Sequence, residues 1–200
     1  MKVGILGGTF NPPHMGHINA ALSAKKAIGL DKIIFIPAGI PPHKQIPENT
    51  ATDSERFEMT RLAAETAGAE VSDIEMKRKG KSFTADTVSA ISKAHPEYEL
   101  WLIMGTDMFL SFDTWKSPKE IAMMSKIAVV PRNSGDIPAL KEKGVYLRKT
   151  LGVEYMIIDT EAVEISSTEI RTLRGMNGYL PKSVFEYIEN NGLYKKSRER

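Results

Sequence analysis

The 200-residue chain contains no cysteine. Disulfide bonds, thiolate metal sites and cysteine nucleophiles are therefore excluded. The chain also lacks an excess of either charge, because 27 lysines and arginines stand against 25 aspartates and glutamates, for a formal net charge of +2. A dedicated nucleic-acid-binding domain usually carries a strong basic excess. We therefore expect no nucleic-acid partner.

Long apolar runs are absent as well. No stretch approaches the roughly 20 apolar residues that a membrane-spanning helix needs, and the apolar N-terminal stretch is too short, and too interrupted by glycines, for a signal peptide. The hydrophobic content of 42% and charged content of 26% are close to the averages of soluble proteins. We expect one domain over residues 1–200, in the cytoplasm, without a membrane partner.

The hydrophobic pattern alternates between short β-branched runs and helical spacing. Strands are predicted at residues 2–6, 32–36, 71–76, 99–104, 127–130 and 154–158, and helices at 17–28, 53–67, 84–94, 168–173 and 182–190. This alternation predicts an α/β fold, a Rossmann-like, doubly wound and mainly parallel sheet with helices on both faces. A small helical part is expected at about 160–194, with a basic tail at 195–200.

The segment Gly-Gly-Thr-Phe-Asn-Pro-Pro-His-Met-Gly-His at 7–17 follows the first predicted strand and opens the first predicted helix. Ligands bind at this edge of an open α/β sheet. Gly7 and Gly8 would let a phosphate approach backbone N–H groups beside a helix N-terminus. His14 and His17 can share one face of the first turn and donate to a phosphoryl oxygen. The alternative is a tight strand–helix connection with two surface histidines.

Better-known phosphate-binding and metal-binding motifs are not matched. The dinucleotide fingerprint needs Gly-x-Gly-x-x-Gly, which is absent around Gly4 and Gly7. The Gly-Lys-Ser at residues 80–82 resembles the end of a Walker A loop, but Glu75 stands where the first glycine is required. A zinc site on His14 and His17 would lack a third ligand, so zinc is not expected.

A second group of polar residues lies far away in the sequence, in Ile-Ser-Ser-Thr-Glu-Ile-Arg at 165–171. Ser167 and Thr168 precede a helical pattern, as residues at a helix N-cap do. Arg171 follows three residues later, near enough to reach an anion at the start of the helix. A capped helix with one surface arginine is the alternative. Two such sites in one sheet protein favour a polyphosphate ligand.

Three weaker signals accompany these motifs. His43 and Lys44 lie in a long proline-rich loop at 37–51, a length typical of functional loops. Gly105 and Asp107 follow the predicted strand at 99–104, where the carboxylate could accept a hydrogen bond from a ribose. Trp115 has polar neighbours, so its ring could stack on a flat heterocycle or pack in the core.

Together these segments resemble the bacterial nicotinate-mononucleotide adenylyltransferases of the nucleotidyltransferase α/β superfamily. The resemblance runs from residue 2 to residue 194. It rests on the motifs at 7–17 and 165–171, on Pro-Pro-His-Lys at 41–44, Lys-Ser-Phe-Thr at 81–84, Gly-Thr-Asp at 105–107 with Trp115, and Asn-Gly-Leu-Tyr at 191–194. The His-x-Gly-His and Ser-Ser-Thr-x-x-Arg pair indicates the superfamily, and the other motifs narrow it to this family.

The resemblance implies transfer of the adenylyl group of ATP to nicotinate mononucleotide, with Mg²⁺ held mainly by the ATP phosphates and no protein metal site. It implies catalytic roles for His14, His17 and Arg171. The ATP-binding residues would be Gly7, Gly8, Thr9, Phe10, Gly105, Asp107, Ser167, Thr168 and Arg171. The mononucleotide would be bound by His43, Lys44, Thr84, Trp115 and Lys116.

One position departs from the family pattern. Lys116 stands where relatives often carry tyrosine. That position in the family acts largely through its backbone N–H, so the lysine is expected to be tolerated, and its charge would favour an acid over an amide acceptor.

Other interpretations stay open at this point. The same chemistry could use nicotinamide mononucleotide or phosphopantetheine as acceptor, or the chain could be a non-catalytic nucleotide-binding module. The presence of both histidines and of Arg171 disfavours the binding module, since binding alone would tolerate the loss of one. The sequence leaves the oligomeric state open, a homo-oligomer included.

Overall fold

A computed structural model describes residues 1–40, 51–78, 80–160, 165–172 and 178–194. Six parallel strands form one sheet in the order β3-β2-β1-β4-β5-β6. The strands are β1 (Lys2–Gly8), β2 (Lys32–Pro37), β3 (Glu70–Val71), β4 (Glu99–Gly105), β5 (Lys126–Val130) and β6 (Tyr155–Ile157). The predicted Rossmann-like α/β class is confirmed.

Eight α-helices accompany the strands in the described part of the chain. They are α1 (Met15–Ile28), α2 (Asp53–Thr66), α3 (Thr84–Ala94), α4 (Thr106–Leu110), α5 (Pro118–Met124), α6 (Ile137–Leu151), α7 (Ser167–Thr172) and α8 (Lys182–Asn191). Among the described residues, no helix is both long and apolar enough to cross a membrane.

Both faces of the sheet are buried, each against its own set of helices. On one face Leu6, Phe35 and Ile103 pack with residues of α1, α2, α7 and α8. On the other face Ile5 and Leu102, among others, pack with residues of α3 to α6. Parallel strands covered on both sides read as continuous apolar runs rather than alternating ones. This is why the central strands were recognisable in the sequence.

Helix α1 begins and ends where local chemistry dictates. His14 is its extended N-cap, and Gly29 ends it with a left-handed φ of 69°, a conformation that glycine adopts without a Cβ penalty. Its buried stripe includes Ile18, Ala21 and Ile28, the spacing that places one face against the sheet. The helix thereby carries the His14–His17 turn to the carboxyl edge of β1.

One strand predicted from the pattern is wrong in its bounds. The strand expected at 71–76 is only Glu70–Val71, because β3 is an edge strand that pairs with Ile34 and Phe35 and then turns away. The helix predicted at 84–94 has those bounds, and its N-cap is Phe83 rather than Thr84.

The sequence pattern also gave no prediction for α4, α5 and α6. Helix α6 runs for 15 residues, but its buried residues are only Leu140, Gly144 and Leu147. So narrow an apolar stripe, with a glycine inside it, gives a weak helical period.

Candidate active site

The motif at 7–17 lies at the centre of the sheet. Strand β1 is flanked by β2 on one side and β4 on the other, so the chain order reverses between β1 and β4. Ligands of open α/β sheets bind in the crevice at such a reversal, outside the carboxyl ends of the strands. The loop after β1 and the end of β4, with Gly105 as its last residue and Asp107 just beyond, both lie at this edge.

The two polyphosphate-binding motifs predicted from the sequence meet in the structure. The Arg171 Nη1 donates to the carbonyl of Asn11 at 2.5 Å, and the Ser167 hydroxyl donates to the carbonyl of Pro12 at 2.8 Å. Arg171 also donates to the Thr168 hydroxyl at 3.1 Å. Residues about 155 to 160 positions apart in the sequence therefore form one continuous polar surface.

The N-cap of α7 is one residue earlier than the pair singled out from the sequence. Ser166 exchanges hydrogen bonds with Glu169, its hydroxyl accepting from the Glu169 N–H and its own N–H donating to the Glu169 carboxylate. This is a capping box. Because Ser166 takes the cap, the Ser167 hydroxyl is released to hold the loop after β1.

The loop after β1 is also tied to the rest of the protein by residues that were not predicted from the sequence. The buried Arg56 of α2 donates from Nη1 to the carbonyl of Thr9 at 2.8 Å. The Tyr194 hydroxyl donates to the Asn11 side-chain oxygen at 2.6 Å. Asn11 itself is buried. Every one of these contacts satisfies an oxygen of the loop from outside it.

The histidines of the first turn are in direct contact. Their ring centroids are 3.8 Å apart, and the Phe10 ring packs edge-on against His17 at 4.9 Å. The backbone N–H of His14 donates to the Nδ1 of His17 at 3.1 Å. An acceptor Nδ1 means that a neutral His17 ring carries its proton on Nε2. The structure thereby presets His17 as a hydrogen-bond donor through Nε2.

Burial holds both imidazoles in the neutral state. Desolvation lowers the pKa of His14 from 6.5 to about 4, against a smaller opposing effect of the Glu169 carboxylate. Desolvation, together with the adjacent His14, lowers the pKa of His17 well below its ordinary value. The Nδ1 of His14 has no hydrogen-bond partner among the described residues. Two neutral imidazoles side by side, His14 buried and His17 partly exposed, form a site ready to receive negative charge.

A cation not predicted from the sequence lies at the end of β5. The Arg132 guanidinium pairs with the carboxylate of Asp107 at 2.5 Å, and both side chains are more than half exposed. The Asp107 carboxylate, expected to accept from a ribose, is thus already engaged by a cation. The available signal in the sequence was a cation two residues after a predicted parallel strand, at the edge where ligands bind.

The residues expected to receive the pyridine ring form a second cluster. Thr84 is the first residue of α3, and Trp115 is half-buried, its ring 5.4 Å from that of Phe112. The Lys116 Nζ lies 4.2 Å from the centre of the Phe83 ring and 3.5 Å from the Asp86 carboxylate. Lys116 therefore reaches across to the segment that begins α3.

Backbone hydrogen bonds join this second cluster to the loop after β1. The N–H of Ala38 donates to the carbonyl of Gly8 at 2.8 Å, and the N–H of Ser82 donates to the carbonyl of Ile40 at 2.8 Å. The segment 38–40 is thus hydrogen-bonded to both. Gly39 is required there, because a Cβ would lie 2.5 Å from the carbonyl oxygen of Glu75. His43 and Lys44, and the tail at 195–200, lie outside the described residues.

Among the described residues, no three histidine, aspartate or glutamate side chains are placed to hold a metal ion. The site is instead rich in donors and cations, namely His14, His17, Arg132, Arg171 and Ser167. Such a set suits an anionic ligand.

The low pKa of His14 makes stability depend on pH. The His14 imidazole binds its proton at about pH 6.5 in the unfolded chain but only at about pH 4 in the folded chain. Protonation of His14 between these pH values therefore favours unfolding. We expect the free energy of unfolding to fall by roughly 3 kcal/mol through His14 as pH drops from 7 to 4. Urea unfolding at several pH values measures this.

The matched variant is His14→Asn, which should show a shallower fall over the same window because one of the two imidazoles is gone. A ring titration of His14 by NMR with a midpoint near 6.5 would contradict the assignment.

Comparison with known proteins agrees with this geometry. The family model described as cytidylyltransferase-like matches residues 5–173. A probable nicotinate-nucleotide adenylyltransferase of Desulfitobacterium hafniense is 36% identical over 199 residues, which cover 97% of this chain and 96% of that protein. One of Borreliella burgdorferi is 37% identical over 202 residues, which cover 98% of each.

Solved structures show the same fold. The nicotinic acid mononucleotide adenylyltransferase of Plasmodium falciparum complexed with NaAD aligns with a TM-score of 0.79 over 99% of both chains, at 16% identity. Its complex with APC aligns with a TM-score of 0.77. With full-length curated relatives above 30% identity, the resemblance drawn from the motifs is confirmed. The chain belongs to the cytidylyltransferase-like family and, within it, to the nicotinate-nucleotide adenylyltransferases.

Proposed function

We propose that this chain transfers the adenylyl group of ATP to nicotinate mononucleotide, giving deamido-NAD and pyrophosphate in NAD biosynthesis. The observation that carries the proposal is the meeting of two donor-bearing segments, at 7–17 and 166–171, through the bonds of Arg171 and Ser167 to the loop after β1. A triphosphate is long enough to touch both segments. The second cluster, around Thr84 and Trp115, supplies a separate place for the acceptor.

The reaction needs positioning more than proton transfer. A phosphate oxygen of the mononucleotide, already anionic at neutral pH, attacks the α-phosphorus of ATP. The bond between that phosphorus and the oxygen bridging to the β-phosphorus breaks, and pyrophosphate leaves with the electron pair. No general base is required. Catalysis then rests on alignment of the two substrates and on stabilising the charge that develops on the phosphoryl oxygens.

The residues of the first turn and of α7 divide this work. The Nε2–H of His17 donates to the α-phosphate, the position that the hydrogen bond to Nδ1 leaves open to a ligand. His14, Arg171 and the exposed Arg132 face the β- and γ-phosphates. Phosphate charge raises the pKa of the neighbouring imidazoles, against the desolvation that lowers it in the free protein.

The nucleotide is further held by the loop glycines and by the edge of β4. Gly7, Gly8 and Thr9 line the cleft, and Phe10, whose ring is buried against His17 and Phe35, supports it. Gly105 with Asp107 faces the adenosine. Ser167 and Thr168 complete the triphosphate site from α7.

Mg²⁺ fits this site as a cation coordinated by the phosphates of the nucleotide. Since the described residues offer no cluster of three metal-binding side chains, its oxygen ligands would come from the triphosphate and water. Bound there, it would neutralise charge on the departing pyrophosphate.

The acceptor is held by Thr84, Trp115 and Lys116. The Trp115 ring, half-buried against Phe112, offers a face for the pyridine ring. The Lys116 ammonium, held loosely by Asp86 at 3.5 Å, can exchange that carboxylate for the carboxylate of nicotinate. By the resemblance alone, His43 and Lys44 are assigned to the phosphates.

We extend the proposal to the organisation of the chain. We infer one nucleotidyltransferase domain over residues 1–200, located in the cytoplasm. The single domain is supported by the packing of Ile170 of α7 and of Val184 and Ile188 of α8 in the same core cluster as Ile18.

Coupled pyrophosphate release with ATP and Mg²⁺ tests the proposed function. Nicotinate mononucleotide and nicotinamide mononucleotide are offered separately. A rate with the acid at least ten times that with the amide is expected, because the nicotinate carboxylate is anionic and can pair with Lys116, whereas the carboxamide is neutral. Comparable rates would leave the adenylyl transfer but remove the acid specificity. No release with either acceptor would favour a different acceptor or the non-catalytic nucleotide-binding module.

His17→Ala is expected to lower kcat on the order of 10²–10³-fold, the usual cost of losing one donor to a developing oxyanion. Steady-state kinetics with saturating substrates measures it. His95→Ala, at the exposed end of α3, is the control and should keep the parental kcat. A folded His17→Ala enzyme with full kcat would remove His17 from the α-phosphate.

Trp115→Ala is expected to raise the KM for nicotinate mononucleotide by about tenfold, the loss of one stacking contact. The KM for ATP should stay within about twofold of the parental value. Equal increases in the two KM values would place Trp115 in the core rather than against the acceptor.

A further inference from the structure

Arg56 is a fully buried cation in the first turn of α2. Its Nη1 donates to the carbonyl of Thr9 at 2.8 Å, and its Nη2 donates to the Asp53 carboxylate at 2.7 Å, with a longer contact of 3.5 Å to the carbonyl of Gly39. A guanidinium gives up much hydration on burial, so its donors need partners. Two of these three contacts are to backbone carbonyls, and the two carbonyls belong to separate loops.

The contacts of Arg56 compensate poorly for the loss of its hydration, so its burial contributes little to stability. The side chain of its only carboxylate partner in the described part of the chain, Asp53, is 63% exposed, and its Nε donor has no partner among the described residues. Replacing buried ion pairs by apolar side chains is often neutral or stabilising. Since the buried guanidinium contributes little stability, we infer that its role is to fix the geometry of the backbone to which it donates.

The two carbonyls belong to segments that serve different substrates. Thr9 follows β1 in the loop of the nucleotide site. Gly39 follows β2 in the segment 38–40, which is hydrogen-bonded to Gly8 on one side and through Ile40 to Ser82 on the other. Ser82 stands two residues before Thr84, the start of the acceptor cluster. Arg56 thus contacts backbone on both sides of the junction between two half-sites, the nucleotide site and the acceptor site.

We propose that Arg56 is a positioning residue that sets the distance and orientation of the acceptor site relative to the nucleotide site. It touches neither substrate. The inference rests on the proposed adenylyl transfer, in which the phosphate of the acceptor must lie in line with the α-phosphorus. Because a misplacement of about 1 Å can cost 10²-fold in rate, a side chain that fixes the junction acts on kcat while each half-site keeps its own affinity.

The test uses two variants of the full chain and one control. Arg56→Met removes the donors and keeps an apolar side chain in the buried space. Arg56→Lys keeps a cation that reaches the Thr9 carbonyl but cannot bridge two loops. Asp53→Asn removes the ion pair and leaves both carbonyl contacts in place. Steady-state kinetics, ATP binding by calorimetry and urea unfolding are measured for each.

For Arg56→Met we expect a fall in kcat of about 10–100-fold, with both KM values and the Kd for ATP within about threefold of the parental values. Arg56→Lys should recover part of the lost kcat. Asp53→Asn should keep kcat within about twofold. This split between kcat and KM is one that a purely structural role would not produce.

Four results would overturn the proposal. Three concern the Arg56 variants, namely an unchanged kcat in folded Arg56→Met, a loss carried by the KM values alone, and failure of both Arg56 variants to fold, which would assign the residue to the fold. A kcat loss in Asp53→Asn as large as in Arg56→Met would also overturn it, because the ion pair would then suffice. Failure of the proposed function is separate, since the parental chain would release no pyrophosphate with any acceptor.

Discussion

The loop after β1 is held by side chains that hydrogen-bond its oxygen atoms from outside. Arg56 holds the carbonyl of Thr9, Arg171 that of Asn11 and Ser167 that of Pro12. In a planar trans peptide the C=O and N–H point in opposite directions. The Thr9 carbonyl, turned toward α2, therefore leaves the N–H of Phe10 on the opposite side of the chain. Two helices distant in sequence, α2 and α7, thus impose one loop conformation, and the proposed phosphate site depends on it.

The electrostatics of the site follow from the same arrangement. Burial in the turn at the start of α1 lowers the pKa of both histidines, and the hydrogen bond from the His14 N–H selects the tautomer of His17. Neutral donors in a partly dry crevice are worth more to a developing anion than the same groups in water. The permanent cations are Arg132 and Arg171. In the proposed reaction the neutral donors serve the reacting phosphorus, and the cations serve the rest of the triphosphate.

The strands and helices of the fold could be predicted from the sequence with unequal accuracy. Strands β1, β2, β4 and β5 are buried on both faces, so their apolar runs stood out within one or two residues of the true bounds. The edge strand β3 was predicted too long, and α6, whose buried stripe includes Gly144, was not predicted at all. The hydrophobic periodicity of an element follows from its burial, so it is weak where the element buries few residues.

For the site, the sequence by itself determined which chemistry is available. Glycines and histidines after a strand, and serine, threonine and arginine opening a helix, supply the donors that phosphate binding needs. Tertiary structure alone decided that Arg171 reaches Asn11 across 160 positions, that Tyr194 holds the same residue, and that Arg56 is buried. Local sequence specifies backbone conformation and donor type, but desolvation and long-range hydrogen bonds depend on which surfaces the packed core brings together.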